Sequence, residues 1–267
     1  MDGYVEQALA EFEHSIPKQH HYGPSRAVEP VYGQRVQYAK VDESKLASAT
    51  MVKFIQRVTG KFLYYARAID NTMLHALNDI ASSKNTNQTI AATRYFLNYA
   101  ASNPNGSIIY RASDMIIQAD SDAAYLVCAE ARSRAGGYIF LGNLKKTQFN
   151  GPVLVLAKII KNVMGSAAEA EVGALYIVAQ EIVPMRMTLE ELGHPQPATP
   201  LKTDNSTACG IMNGTVKQKR TKAMDMRYYW LRDRVRQKQF NVFWEPGINN
   251  LADYPTKHHS GARHRRL

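Results

Sequence analysis

Four carboxylates occupy positions from which a mixed α/β fold could gather them into one site. Cleavage of a phosphodiester with two metal ions uses oxygen ligands that bracket two hard cations about 4 Å apart. Magnesium prefers carboxylates and water, so acids rather than histidine or cysteine would serve as its ligands. Each acid alone could be an ordinary solvated residue, but together they predict a metal site. They are Asp122 in IIQADSDAAY, Glu171 in SAAEAEVGAL, Asp204 in LKTDNSTA and Asp253 in INNLADYPTK.

The helix that carries Glu171 contains a second acid with a different predicted role. Ser166 and Glu169 form the S-x-x-E pattern of a capping box, so Glu169 is expected to cap the helix start. Glu171 lies two residues on, about 200° around the helix, on the side of Leu175 and Val178. A carboxylate on that apolar stripe is costly unless a cation compensates its charge. The helix geometry therefore favours Glu171 as the metal ligand.

The strand that carries Asp122 also contains a second acid. Asp120 and Asp122 are two residues apart, so their side chains lie on the same side of the predicted strand. Periodicity alone leaves open which of the two would bind a metal ion.

The elements around these acids follow a mixed α/β order. Hydrophobic patterning predicts strands, then a helix over 167–192, then a short strand, two helices, a strand and a final helix. Pro184 is expected to kink or divide the long helix. The predicted strands are Ser107–Tyr110, Met115–Ala119, Tyr138–Leu141, Val153–Ile160, Pro200–Thr203 and Phe240–Trp244, and the other helices are Asn205–Met212, Lys219–Lys238 and Asn250–His258.

The residues before this region have a different pattern. Residues 1–47 are predicted to form an extended arm with a short helix near Tyr4, and residues 48–106 to form a helical segment. That segment carries apolar residues at three- and four-residue spacing, which should be buried. The turn NPNG at 103–106 predicts a boundary, followed by a domain over 107–262 and a basic tail at 263–267. The apolar residues are Phe54, Ile55, Val58 and Phe62.

The charge balance favours a polyanionic partner. The chain has 33 Lys and Arg against 23 Asp and Glu, a formal net charge of +10. Nucleic acid is the commonest such partner, although a plain solvated face would also explain the basic helix. The segment alone leaves a phosphate-binding face and a plain solvated face equally open. The candidate residues are Lys217, Lys219, Arg220, Lys222 and Arg227.

The positions of cysteine and histidine limit which other kinds of site, such as disulfides or zinc sites, the chain is expected to have. Cys128 and Cys209 are far apart, which argues against a disulfide framework or thiolate zinc and suits a reducing compartment. No signal peptide or membrane-spanning run is evident, so an intracellular protein, cytoplasmic or nuclear, is expected. His258 and His259 are predicted to be exposed residues at a helix end, with a zinc site as the less favoured alternative.

The runs around the four acids resemble one family. SDAAY, AEAEVGALYIVA, TDNSTA and NNLADYPTKHH are similar to the S-D-A-x-W/Y, E-A-E-Y-x-A-L, T-D-N/S-x-S/T-A and N-x-A-D-x-x-T-K elements of copia-type retrotransposon ribonuclease H domains. All four occur in the family order, with 49, 33 and 49 residues between successive acids. The resemblance carries over Asp122, Glu171, Asp204 and Asp253 as catalytic metal ligands. It disfavours Asp120 and Glu169.

The resemblance covers roughly residues 28–262, and it implies both a fold and a function. It implies a ribonuclease H-like mixed sheet flanked by helices, preceded by a segment similar to the one that links polymerase to ribonuclease H. The implied activity is hydrolysis of the RNA strand of RNA–DNA hybrids with two Mg²⁺ ions, or Mn²⁺. The polymerase part of a reverse transcriptase is the implied protein partner, in a virus-like particle or the nucleus.

Two features set limits to that expectation. The chain has no paired Asp-Asp of a polymerase site, so it looks like the C-terminal piece of a reverse transcriptase and no polymerase activity is expected. The loop EPGINN lacks a histidine that many ribonucleases H carry, and Pro255 falls two residues after Asp253. The alternative function is a non-catalytic retroelement fragment that binds nucleic acid or a polymerase partner.

Overall fold

The computed structural model describes residues 1–26, 39–143, 149–216 and 225–265. Within them the chain contacts itself in two units, Met1–Ile108 with Lys257–Leu267, and Ile109–Thr256. The sequence predicts boundaries after residues 106 and 262. The first boundary lies two residues from the observed one, whereas the residues after Thr256 group with the helical unit instead of the sheet. No helix in the described ranges has the length and apolarity needed to cross a membrane.

The first unit is helical. Its α-helices are α1 (Tyr4–Glu11), α2 (Ala49–Ala68), α3 (Leu74–Ser82) and α4 (Asn87–Ser102), with α8 (Gly261–His264) near the C-terminus. Three of the four apolar residues predicted to be buried in α2 are buried: Ile55, Val58 and Phe62. Phe54 is partly buried, with its ring edge-on to Phe12 at 5.9 Å.

The second unit is built on a mixed sheet, as the sequence predicts. Its order is β3-β2-β1-β4-β5 among the described residues, with β1, β2 and β3 antiparallel and β4 and β5 parallel to β1. Helices follow the strands in the chain. The strands are β1 (Ile116–Cys128), β2 (Arg132–Gly142), β3 (Pro152–Ile159), β4 (Thr199–Thr203) and β5 (Phe240–Trp244), and the helices are α5 (Ala167–Glu191), α6 (Ser206–Met212) and α7 (Asp225–Arg236).

Helix α5 provides the core that covers the sheet. Its N-cap Ser166 accepts a hydrogen bond from the backbone N–H of Glu169, as the capping box predicts. The helix buries one face against sheet residues, and Gly137 allows close approach because a Cβ there would lie 2.7 Å from Val178. Of the kink or division predicted at Pro184, the division does not occur, since α5 continues through that residue and is 25 residues long in all.

Two predicted elements differ in the structure. Ser107–Tyr110 forms no strand: one backbone hydrogen bond joins Gly151 to Ile109, and no ladder follows. The predicted helix over Asn250–His258 is instead two short 3₁₀ helices, Gly247–Asn249 and Leu251–Thr256. The backbone N–H of Asp253 bonds to the carbonyl oxygen of Asn250, three residues back, and Pro255 has no N–H with which to continue an α-helical ladder, so the segment is a short 3₁₀ helix.

Candidate metal centre

Three of the four predicted acids converge in the structure. One carboxylate oxygen each from Asp122, Glu171 and Asp204 lie within 4.8 Å of one another. Asp122 lies in the middle of β1 rather than at its end, Glu171 is in the first turns of α5, and Asp204 directly follows β4. Because β1 and β4 are parallel neighbours, their acids meet at the same region of the sheet, and α5 brings Glu171 onto them.

Glu171 is held in place by two hydrogen bonds. The backbone N–H of Ala123 donates to its Oε1 at 3.2 Å, and the Thr203 hydroxyl donates to its Oε2 at 3.4 Å. These donors come from β1 and β4, so the two strands that carry Asp122 and Asp204 also orient the glutamate. The sheet thus fixes all three acids relative to one another.

The charges of this cluster favour a bound cation. Burial, and after it the neighbouring charges of Asp122 and Asp204, together raise the pKa of Glu171 to about 9. Carboxylates this close cannot all ionise near neutral pH without a compensating positive charge. The donor set is all oxygen, which suits Mg²⁺ or Mn²⁺, so the residues fit the metal that the sequence predicts.

Asp253 lies beside this cluster rather than within it. Its side chain is buried, but its carboxylate is not one of the three that lie within 4.8 Å of each other in the described residues. Thr256 connects the two, because its Oγ1 is 2.6 Å from Asp122 Oδ2 and 2.8 Å from the carbonyl oxygen of Asp253. The hydrogen bond from Thr256 therefore holds the segment that carries Asp253 against Asp122.

The two neighbouring acids have other partners, as the sequence predicts. Asp120 forms an ion pair with Lys202 at 2.9 Å and accepts the backbone N–H of Leu251 at 2.9 Å. Burial raises the pKa of Asp120, while Lys202 opposes that shift. Glu169 accepts the backbone N–H of Gly165 at 2.7 Å and so caps α5. Of the two acids on β1, Asp122 and not Asp120 belongs to the cluster with Glu171 and Asp204.

Several residues around the centre were not identified from the sequence. Lys202 sits between two strand residues in LKT, a pattern that gives no sign of an ion pair with Asp120. Two glycines allow neighbouring groups to approach closely. A Cβ at Gly136 would collide with Ala252 and Thr256, and a Cβ at Gly247 would collide with the Asp204 carboxylate. Of these residues, only Thr256 could have been identified from the sequence, since it is the threonine of the N-x-A-D-x-x-T-K run.

The predicted nucleic-acid contacts lie mostly outside the described residues. Lys217, Lys219, Arg220 and Lys222 belong to that group. Arg227 is described, and it donates to Asn162 at 2.9 Å with its guanidinium 5.9 Å from the ring of Tyr176. Through its contact with the Tyr176 ring, Arg227 packs α7 against α5. Its guanidinium also gives that surface a positive charge.

The strand order and directions, with helices on the sheet, give the mixed sheet flanked by helices that the sequence predicts. No family model matches the chain. Over 166 residues, 62% of this chain, it is 27% identical to the retrovirus-related Pol polyprotein from transposon TNT 1-94 of Nicotiana tabacum. That likeness is consistent with a copia-type ribonuclease H region. The matched part spans 12% of the tobacco polyprotein.

Solved structures give weaker likenesses. The N-terminal ribonuclease H domain of rv2228c from Mycobacterium tuberculosis is 14% identical with a TM-score of 0.38, over 51% of this chain and 92% of that one. LC11-RNase H1 from compost is 17% identical with a TM-score of 0.37, over 52% and 90%. The protease-reverse transcriptase of prototype foamy virus is 17% identical with a TM-score of 0.32, over 53% and 20%.

Proposed function

We propose that this chain is a metal-dependent endonuclease that hydrolyses the RNA strand of RNA–DNA hybrids. The observation that carries the proposal is the convergence of three buried or partly buried acids, Asp122, Glu171 and Asp204, on a ribonuclease H-like sheet. Their mutual repulsion is the arrangement that a divalent cation relieves. In this proposal the chain is the ribonuclease H part of a retrotransposon reverse transcriptase.

Asp122, Glu171 and Asp204 would hold the metal ions, and Asp253 would be the fourth ligand. Two Mg²⁺ ions, or Mn²⁺, would supply activation of the attacking water and stabilisation of the leaving 3′ oxygen. Asp204 is only partly buried, so it leaves an open side on which a scissile phosphate could bind. Thr256 orients Asp122, and the Trp244 indole N–H donates to the carbonyl oxygen of Asp204 at 2.8 Å.

The hybrid would be held by charge rather than by base recognition. The net charge of +10 attracts a polyanion, and the basic residues at 217–222 with Arg227 would contact backbone phosphates. Recognition of an A-form-like duplex by shape and backbone suits an enzyme that cuts without strict sequence preference. The polymerase part of a reverse transcriptase would be the protein partner and would increase the affinity for the hybrid.

The experiment is cleavage of a labelled RNA–DNA hybrid in Mg²⁺ by the full chain, with binding measured in Ca²⁺. Asp204→Asn removes a charged ligand and should lower cleavage by at least about 100-fold, because changes outside the ligand shell alone cost roughly 10- to 100-fold. Hybrid binding should persist. Asp114→Asn, at an exposed aspartate of the same unit, is the matched control and should cut normally.

Two outcomes would overturn the proposal. If the wild-type chain binds hybrid but never cuts it at any Mg²⁺ or Mn²⁺ concentration, the chain is the non-catalytic nucleic-acid-binding fragment. If Asp204→Asn cuts as well as wild type, the three acids are not the catalytic metal ligands.

A further inference from the structure

A second cluster of metal-ligating side chains lies in the helical unit. His75 and Asp79 are four residues apart on α3, so their side chains lie on one face of that helix. His258 joins them from the C-terminal residues that group with the helices. The sequence predicts His258 as an exposed helix-end residue, yet its side chain is 27% exposed and is packed among these partners.

The donor atoms are spaced as one metal ion would require. One atom from each residue lies within 4.8 Å of the other two, and Asp79 Oδ2 is 2.9 Å from His258 Nε2 and 3.7 Å from His75 Nδ1. A tetrahedral zinc ion with ligands at 2.0–2.1 Å separates neighbouring ligand atoms by about 3.3 Å. The two imidazole rings are nearly perpendicular, with centroids 4.3 Å apart.

An outer partner orients one of the histidines. Ser25 Oγ lies 2.7 Å from Nδ1 of His258, so that nitrogen is engaged and Nε2 faces the cluster. A histidine bound to a metal usually has its second ring nitrogen held in this way. His75 is 5% exposed, so the cluster has one deeply buried nitrogen ligand and two that solvent can reach.

We propose that His75, Asp79 and His258 bind one Zn²⁺ ion, with water in the fourth position. Two imidazoles and one carboxylate select zinc over magnesium, unlike the all-oxygen set of Asp122, Glu171 and Asp204. The ion holds the residues after Lys257 onto α3. This proposal is independent of the nuclease function, because none of its ligands belongs to the candidate metal centre.

The test is zinc binding by the full metal-free chain, measured by calorimetric titration and elemental analysis in excess Mg²⁺. The excess Mg²⁺ competes with Zn²⁺ at the acidic centre, and wild type should bind one Zn²⁺ per chain that the ligand variants lose. Asp79→Asn and His258→Gln should each weaken binding by about 100-fold or more, and Ser25→Ala by roughly 10- to 100-fold. His20→Gln, at an exposed histidine of the same unit, should bind zinc as wild type does.

A second readout separates a metal site from a hydrogen-bonded histidine–aspartate pair. Zn²⁺ should raise the melting temperature of wild type and of His20→Gln, but not of Asp79→Asn or His258→Gln. Should zinc fail to bind wild type in excess Mg²⁺, or bind both ligand variants unchanged, the site is refuted. Loss of stability in the variants that is the same with and without zinc would show that the cluster is only an ion pair.

Discussion

At the scale of single residues, Glu171 decides how the candidate metal centre responds to pH. Its pKa is raised from an ordinary 4.5 to about 9 in the folded chain, first by burial and then by its acidic neighbours. Between those two values the folded state keeps a proton that the unfolded chain has lost. The stabilisation is therefore complete below about pH 4.5 and is lost as the pH rises through about 9.

The metal-free chain should show this loss directly. In the absence of divalent ions its free energy of unfolding should fall between about pH 5 and 9, by up to about 1.4 kcal/mol per pH unit. Glu171→Gln cannot ionise and should flatten that slope, whereas Glu169→Gln, at the helix cap, should keep it. Urea unfolding at a series of pH values measures the slope. An unchanged slope in Glu171→Gln would show that Glu171 does not carry the proton.

The pair formed by Asp120 and Lys202 matters for stability more than for chemistry. Lys202 is almost buried and also donates to the carbonyl oxygen of Asn249 at 2.8 Å. Its removal would leave the Asp120 carboxylate uncompensated beneath the segment that carries Asp253.

Lys202→Met should therefore destabilise the fold by about 3–5 kcal/mol, the usual cost of removing one partner of a buried pair. The matched control is Lys158→Met, which removes an exposed pair with Glu181 and should cost about 1 kcal/mol or less. Chemical denaturation of both variants at neutral pH measures the difference. Equal losses in the two variants would show that the buried pair contributes no more than a surface one.

At the scale of elements, the segment Leu251–Thr256 is positioned by β1 and β2. Asn250 donates from its side chain to the carbonyl oxygen of Ser121 at 2.9 Å, and Thr256 reaches Asp122. Gly136 is the β2 residue paired with Asp122, and its lack of a side chain is what lets the segment lie this close.

Gly136→Ala should displace that segment, because its Cβ would overlap Ala252 and Thr256. Overpacking of this kind costs about 1–3 kcal/mol of stability, and we expect Mg²⁺ affinity to fall with it. Gly60→Ala is the control, since a Cβ there meets nothing within 4 Å and should stabilise helix α2 slightly. Calorimetric Mg²⁺ titration and urea unfolding measure both effects. Wild-type affinity and stability in Gly136→Ala would contradict the positioning role.

Elements with a strong local signal could be predicted from the sequence. The start of α5 follows from its capping box, and β4 and β5 lie within a residue or two of the predicted strands. The last predicted helix is a 3₁₀ helix instead, because Pro255 cannot donate to an α-helical ladder and the Leu251 N–H is bound by Asp120, a residue far away in the chain. The predicted strand Tyr138–Leu141 covers only part of β2, because RSRAGGY contains two arginines and two glycines, which local propensity does not assign to a strand.

At the scale of the whole molecule, the basic residues and the acidic cluster would have different roles in the proposed function. The net charge of +10 coexists with a largely buried acidic cluster, so under the proposed function the attraction for a polyanion and the binding of cations would come from different residues. Changes to the basic residues should therefore alter hybrid binding without altering metal binding.

Replacing Lys219, Arg220 and Lys222 with Ala should lower hybrid affinity and its salt dependence. Each lost phosphate contact should reduce the slope of log K against log salt by about 0.7 to 0.9. The triple change Lys18→Ala, Lys53→Ala and Lys84→Ala removes the same charge from exposed positions of the helical unit and is the matched control. Filter binding across a salt series measures both slopes. Equal slopes would show that total charge, rather than this segment, determines binding.

Three of the four acids predicted for the candidate centre lie together in the structure, but their geometry could not be predicted from the sequence. The ordered motifs pointed to Asp122, Glu171 and Asp204, and the structure brings these together. The position of Asp253 and the His75–His258 contact depend on pairing between residues far apart in the chain, which local patterns do not encode. The grouping of residues after Thr256 with the helices was missed for the same reason.

The parallel pairing of β1 with β4 joins Ala119 to Leu201, 82 residues apart in the chain. Closing so long a loop is entropically costly, whereas the β1–β2 hairpin needs only local contacts. During synthesis or refolding the hairpin can form early, but Asp204 reaches Asp122 only when β4 docks. A cation that needs all three acids therefore cannot be held by a half-folded chain. Ion binding should therefore occur only after β4 docks, so under the proposed function an incompletely folded chain would not cut nucleic acid.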